Sequence, residues 1–260
     1  MQLKSETLID IKGLCNKFGD NLVHDNLDLS VSSREIVAII GGSGCGKTTL
    51  LRSVLMLQAP TSGSIKLFGY DIDQVTSSQL KSIQHNLGVM FQSCALFSSL
   101  TIIENIMFPM DHLGAVDLES KRKLALLKLF LSGLAPEVAD LYPSELSGGM
   151  KKRAAMARAI ALDPKMIFLD EPTAGLDPVS ANELDLLVLH LRRSLGITFV
   201  MVTHDLDTLW KVPDRVIFLG NGVVLADGSM EELMACSNPM VQDYFSGDRA
   251  QQRQKIGHGE

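Results

Sequence analysis

The sequence predicts an α/β fold: buried strands alternating with helices, an antiparallel β subdomain at the amino-terminal edge, and a helical subdomain inserted into the core. Three observations predict it. Ile36-Val37-Ala38-Ile39-Ile40 is a continuous apolar run, the pattern of a strand buried on both faces, and it feeds directly into the glycine-rich stretch 41–49. A second apolar run, Met166-Ile167-Phe168-Leu169, ends on Asp170-Glu171. Between the two, from about residue 93 to 162, strand signals vanish.

The elements follow in order. Leu8-Ile9-Asp10-Ile11 alternates as a strand, Asp20-Asn21 is turn chemistry, and 27–31 alternates again, which suits an antiparallel edge sheet. After the strand at 36–40 and its glycine loop, 47–56 reads as a helix, and 64–68 and 87–91 as further strands. In the helical lobe, 121–131 carries apolar residues at helical spacing, and Pro136 and Pro143 punctuate the segment. Residues 151–161 form an alanine-rich helix with good propensity that stops before Pro164. Asp177-Pro178 is an N-cap and first-turn pair, opening a helix that ends near Gly196. Residues 197–202 are a buried strand ending at Thr203-His204. The strands 215–219 and 223–226 flank the hairpin dipeptide Asn221-Gly222. The expected organisation is one domain, 1–245, with its core at about 1–92 and 163–245 around a lobe at about 93–162, then a polar tail, 246–260.

Composition bounds the function. The chain has 260 residues, 46% hydrophobic and 21% charged, ample for a buried core and unlike a disordered chain. A net charge of -6 gives no support for a nucleic-acid-binding face. The four cysteines, Cys15, Cys45, Cys94 and Cys236, are scattered without a C-x-x-C pair, so free thiols are expected rather than a zinc site or a disulfide framework. The first ten residues lack the basic-then-apolar pattern of a signal peptide. No apolar run reaches the roughly 18 residues of a membrane span. Work at a membrane would use another chain's spans.

The chemistry concentrates in a few stretches. Gly41-Gly42-Ser43-Gly44-Cys45-Gly46-Lys47-Thr48-Thr49 has the form G-x-x-x-x-G-K-T. A triphosphate needs many donors in a small space. Glycines let successive backbone N–H groups converge, and the helix that follows adds its positive end. In this reading Lys47 reaches the β- and γ-phosphates, Thr48 ligates Mg²⁺, and Thr49 bonds another phosphate oxygen. Asp170 stands at the end of a core strand, where open parallel sheets bind ligands, and is assigned to Mg²⁺ through water. Glu171 is the candidate to polarise the attacking water. His204 ends another buried strand and is either structural or in contact with the γ-phosphate. Gln92 follows the strand 87–91 and either holds a metal or a water or caps the strand. Leu146-Ser147-Gly148-Gly149-Met150 is a glycine-rich turn opening a basic helix.

Assembled, these residues resemble the ATPase subunit of ABC transporters over about 8–243, so the fold implied is the P-loop ABC ATPase core. By this resemblance 41–48 is the Walker A loop, 166–170 the Walker B strand, Glu171 the catalytic glutamate and His204 the switch histidine. Gln92 falls at the Q-loop and Asp177 at the end of the D-loop, Ala174-Gly175-Leu176-Asp177. Phe18 falls at the aromatic position that stacks on adenine, with a core role as its alternative. The family signature is Leu-Ser-Gly-Gly-Gln, and here Met150 stands fifth. That leaves the Ser147 hydroxyl and the Gly148 and Gly149 amides for phosphate and removes any contact specific to glutamine. The resemblance implies a dimer of this chain closing on two Mg-ATP, each between Lys47 of one copy and Ser147 of the other.

The stretch 143–153, Phe91-Gln92-Ser93 with Ala95-Leu96-Phe97, and the alanine-rich 154–161 resemble one subgroup, the ATPases of Mla/Mce-type phospholipid transporters. That resemblance implies phospholipid transport between inner and outer membranes and a peripheral place on the cytoplasmic face of the inner membrane. It also implies an integral-membrane permease, a STAS-domain subunit and an Mce-type lipid-binding subunit as partners. A polar amino-acid importer and a regulatory ABC module without cargo are the competing readings. The apolar residues of 93–110, among them Cys94, Leu96, Phe97, Leu100, Ile102 and Ile103, belong either to the core or to a groove that receives a permease helix.

Overall fold

The computed structural model describes residues 6–113 and 116–246. In chain order its elements are β1 (Thr7–Phe18), β2 (Asn21–Ser32), β3 (Ile36–Gly41), α1 (Lys47–Val54), β4 (Ser62–Leu67), β5 (Tyr70–Asp71), α2 (Ser77–His85), β6 (Leu87–Met90) and α3 (Ile102–Met107). There follow α4 (Leu118–Leu131), α5 (Gly148–Ala159), β7 (Met166–Asp170), α6 (Pro178–Leu195), β8 (Thr198–Val202), α7 (Leu206–Lys211), β9 (Arg215–Gly220), β10 (Val223–Gly228), α8 (Met230–Met234) and α9 (Pro239–Ser246). The elements group into two units, one of residues 1–76 with 202–260 and one of residues 77–201. The polar tail expected at 246–260 lies, except for Ser246, outside the described residues.

In the first unit the antiparallel edge sheet has the order β2-β1-β4-β5. The β1–β2 turn falls on Gly19-Asp20, one residue earlier than the sequence suggests, and Asn21 already pairs with Phe18. Gly19 takes φ 58, which a glycine adopts without Cβ strain, so it rather than Asn21 makes the turn. The second sheet of this unit is β10-β9-β3, with β3 and β9 parallel and Gly41 opposite Leu219. All six residues of β3 are buried, as a strand covered on both faces requires. The β9–β10 hairpin turns on Asn221 (φ 51) and Gly222 (φ 79), the left-handed pair that its twist favours. Arg215 fastens the unit: its guanidinium donates to Glu35, Asp227 and the Ser30 carbonyl.

In the second unit β8-β7-β6 lie side by side, and β6 runs parallel to β7 with Met90 opposite Leu169. The helices expected at 121–131 and 151–161 are present as α4 and α5, each starting three residues earlier, and α3 joins them as a short helix that the sequence pattern did not mark. Their core includes Ile102, Ile106, Met110, Ala125, Leu129, Ala154 and Ala157, all fully buried. The apolar stretch after Gln92 therefore divides: Ile102 and Ile103 are core, while Phe97 and Phe108 remain exposed as an aromatic pair with ring centroids 4.7 Å apart. Gly88 of β6 sits where a Cβ would come within 2.4 Å of the Ala159 carbonyl, so the end of α5 rests on the strand backbone with no side chain between. Helix α6 begins as the sequence predicts, with the Asp177 carboxylate accepting from the Val179 and Ser180 amides at 3.0 Å. It ends on Gly196 at φ 68.

Candidate functional site: a phosphate loop and a glycine turn

In the first unit the loop after β3 is shaped by what its glycines exclude. A Cβ on Gly41 (φ 148) would lie 2.2 Å from the Leu219 carbonyl of β9, so the strand end can close on its neighbour only without a side chain. A Cβ on Gly46 (φ 102) would lie 2.4 Å from His24 Nε2. His24 is fully buried beneath the loop. Its Nδ1 accepts from Asn16 Nδ2 at 3.0 Å, and the same amide donates to Ser53 Oγ on α1 at 3.2 Å. The proton of the neutral imidazole is thus on Nε2, facing Gly46. Burial lowers the His24 pKa, and the neighbouring Gly46 backbone opposes that shift.

Gly42 and Gly44 are exposed and have open space where a Cβ would be, so no side chain covers the loop there, while the Cys45 amide donates to the Gly42 carbonyl at 3.3 Å and closes the turn. Lys47 Nζ donates to the Gly41 and Gly42 carbonyls at 2.8 and 3.0 Å and stands 3.7 Å from Cys45 Sγ, which holds the ammonium over the loop. Ser43 and Thr48 are exposed, and Cys45 and Thr49 are half-buried. Converging amides, an ammonium and the start of α1 make a donor set suited to a polyphosphate. Phe18, at the end of β1, is 48% exposed and so is not a core residue. His204 is exposed just beyond β8, so it is not a buried structural histidine.

In the second unit β7 delivers half-buried Asp170 and Glu171 at its carboxyl end, and Glu171 takes φ 46, the left-handed region rare for a non-glycine residue. Gln92 is exposed, two residues past the end of β6. Ser147 caps α5, its Oγ accepting from the Met150 amide at 3.3 Å. Gly148 and Gly149 open the helix, where first-turn amides have no partner within the helix. A Cβ on Gly149 would stand 3.3 Å from Ser180 Oγ, and that hydroxyl donates to Asp177 Oδ2 at 2.6 Å, so the glycine turn and Asp177 share one surface. The Ser180 hydrogen bonds hold the Asp177 carboxyl below its ordinary pKa. Met150 packs against the helical core. The fifth position of the turn is therefore an anchor in place of a polar contact.

Four further residues shape these sites without a motif to announce them. Besides His24, they are Lys152, Arg158 and Asn105. Lys152 is buried and donates to the Gln92 carbonyl at 2.8 Å and the Glu171 carbonyl at 3.2 Å. Burial lowers its pKa, while Cys94, Asp170 and Glu171 pull it upward. Arg158 donates to the carbonyls of Cys94 and Ala95. Burial raises the Cys94 pKa against the pull of Lys152, Arg158 and Lys151. Asn105, fully buried on α3, donates to the carbonyls of Phe97, Leu100 and Thr101 and accepts from the Phe97 amide. For Lys152 a signal did exist: at helical spacing it shares a face with Ala155, Met156 and Ala159.

A phosphate cradle between a buried strand and a helix, paired carboxylates ending a core strand, and a glycine turn opening a helix define an ABC-type ATPase. The chain belongs to the ABC transporter family, whose model matches residues 24–174. It is 37% identical over 244 residues to the intermembrane phospholipid transport system ATP-binding protein MlaF of Haemophilus influenzae, covering 94% of this chain and 92% of that protein. It is 36% identical to MlaF of Escherichia coli K12 over 247 residues, covering 95% and 91%. A methionine import ATP-binding protein, MetN of Mannheimia succiniciproducens, is 39% identical over 220 residues, which cover 84% of this chain and 62% of MetN. Among solved structures, a dimeric ATP-binding cassette in a post-hydrolysis state, bound to ADP and Pi, superposes with TM-score 0.77 at 31% identity, covering 86% of this chain and 99% of that one. Among the described residues no helix is long and apolar enough to cross a membrane.

Proposed function

We propose that this chain is the ATP-hydrolysing subunit of a phospholipid transporter, working as a pair of copies on the cytoplasmic face of the inner membrane. Similarity over nine-tenths of the length of the MlaF proteins carries this reading. The importer alternative is less favoured, because the match to MetN spans 62% of that protein.

Each residue then has a task. The amides of 42–49 and the Lys47 ammonium bind the phosphates and draw off negative charge. Ser43 and Cys45 contribute to the loop chiefly through their backbones, and Thr49 adds a hydroxyl. Thr48, Asp170 through water, and Gln92 would hold Mg²⁺. One carboxylate with neutral oxygens suits an ion that keeps several waters. When bound, Mg²⁺ neutralises charge on the phosphate oxygens. Glu171 takes the proton of the attacking water as the bond to the leaving oxygen breaks. His204 contacts the γ-phosphate, and Phe18 stacks on adenine. Ser147, Gly148 and Gly149 present donors to the nucleotide held by the other copy, with Asp177 beside them.

A groove of about 660 Å³ in the second unit, lined by residues including Lys81, His85, Val89, Phe108 and Pro109, supports docking of a permease helix. A STAS-domain subunit and an Mce-type lipid-binding subunit complete the assembly in this reading. The test is purification of the tagged chain from its own membranes in mild detergent, with mass spectrometry of proteins and lipids. A permease with an Mce-type subunit and phospholipid is the expected result. A permease with a solute receptor would overturn the lipid reading, and so would ATP turnover in vesicles without lipid movement.

A further inference from the structure

Lys152 is 4% exposed. A buried ammonium costs several kcal/mol unless it is well satisfied, so its partners are informative. It lies on α5, the helix that Ser147 caps. Its two carbonyl acceptors belong to different segments. Gln92 follows β6, and Glu171 follows β7, the parallel neighbour. One side chain therefore ties the signature helix to the backbones of two residues that the proposed mechanism places at the γ-phosphate and its water.

Both segments need holding. Glu171 sits at φ 46, and its carbonyl accepts from the Ala174 amide at 3.2 Å as well as from Lys152. Cys94 (φ 65) and Ala95 (φ 48) are consecutive left-handed residues, a conformation that L-residues disfavour because Cβ crowds the following carbonyl oxygen. Their carbonyls are the two that Arg158 grips, at 2.8 and 2.6 Å. Helix α5 thus fixes the segment after β6 at two points, six residues apart on the helix, and the segment after β7 at one.

We propose that Lys152 is a positioning residue for ATP hydrolysis: its ammonium sets the backbones of Glu171 and Gln92 relative to α5, and Arg158 is the second anchor of that clamp. The carboxylate of Glu171 is then aimed by the same helix whose first turn meets the partner copy's nucleotide. This rests on the roles given above to Glu171 and Gln92.

The test uses the full chain with Mg-ATP and compares Lys152→Met, which keeps the aliphatic stem without donors, with Lys152→Arg, which keeps donors. Glu171→Gln is measured in parallel. Turnover, KM and melting temperature are read for each. A displaced base lowers kcat while ground-state binding persists, so Lys152→Met should lose about 10- to 100-fold in kcat with KM within about twofold. Lys152→Arg should recover most of the loss. If Lys152→Met does not fold, Lys152→Leu, which likewise has no donor, takes its place with the same expected split. Turnover like that of the parent chain, or a loss of kcat that tracks melting temperature and is not rescued by arginine, would overturn the proposal. Normal turnover in Glu171→Gln would instead overturn the assignment of the base.

Discussion

The imidazole of His24 lies against the backbone of Gly46: a single added methyl on that glycine would come within 2.4 Å of Nε2 and 2.8 Å of Val23 Cγ1. The phosphate loop thus rests on a buried polar stack, His24 on Asn16 on Ser53. Gly46→Ala should strain the loop by about 1–3 kcal/mol and weaken ATP binding about tenfold or more. Titration with a fluorescent ATP analogue would check this. Gly42→Ala, where a Cβ meets open space, should do far less.

His24 also predicts a pH dependence. Its pKa in the fold lies below the ordinary 6.5, because burial disfavours the charged ring. Between the folded value and 6.5 the unfolded chain binds more protons, so stability falls as pH drops through that window. Thermal melting at about pH 7.5 and 5.5 should show the loss, and His24→Leu should narrow the difference between the two pH values.

Lys47→Ala should abolish productive ATP binding, since it removes the ammonium held over the loop. Glu171→Gln should bind ATP normally, lose about 100-fold or more in turnover, and accumulate as a closed dimer. Size-exclusion chromatography with ATP and a phosphate-release assay separate the two outcomes.

Leu129 is fully buried in the helical core. Leu129→Ala should cost about 2–5 kcal/mol, read by chemical denaturation. Leu127, on the same helix and 49% exposed, should tolerate the same change with little effect.

The parts of the fold that were legible in the sequence share a physical cause: strong local patterning. The run at 36–40, the glycines of 41–46, the run at 166–169 and Asn221-Gly222 each state their conformation within a few residues. Helix α3 has only six residues, too few for a periodic signal, and depends on Thr101 and Glu104 forming a capping box. The turn after β1 was displaced by one residue because Gly19 tolerates positive φ better than Asn21. Of the site, the motif residues were legible and their supports were not. Lys151-Lys152-Arg153 looks like a solvated basic face, yet the middle residue is buried, and only the phase of α5 separates it from its neighbours. His24 stands in an alternating strand, where nothing local marks a side chain that will back a loop more than twenty residues away.

The contact between Gly88 and Ala159 works as a depth stop for α5. A helix end resting on bare strand backbone has no flexible side chain to yield, so the strand itself fixes how closely the helix seats. A Cβ at residue 88 would come within 2.4 Å of the Ala159 carbonyl, so any side chain there must push the two apart. Because Lys152 and Arg158 reach the neighbouring carbonyls from the same helix, a lifted helix end would lengthen those hydrogen bonds as well. The missing methyl group at residue 88 is thus the spacer that keeps both anchors within reach.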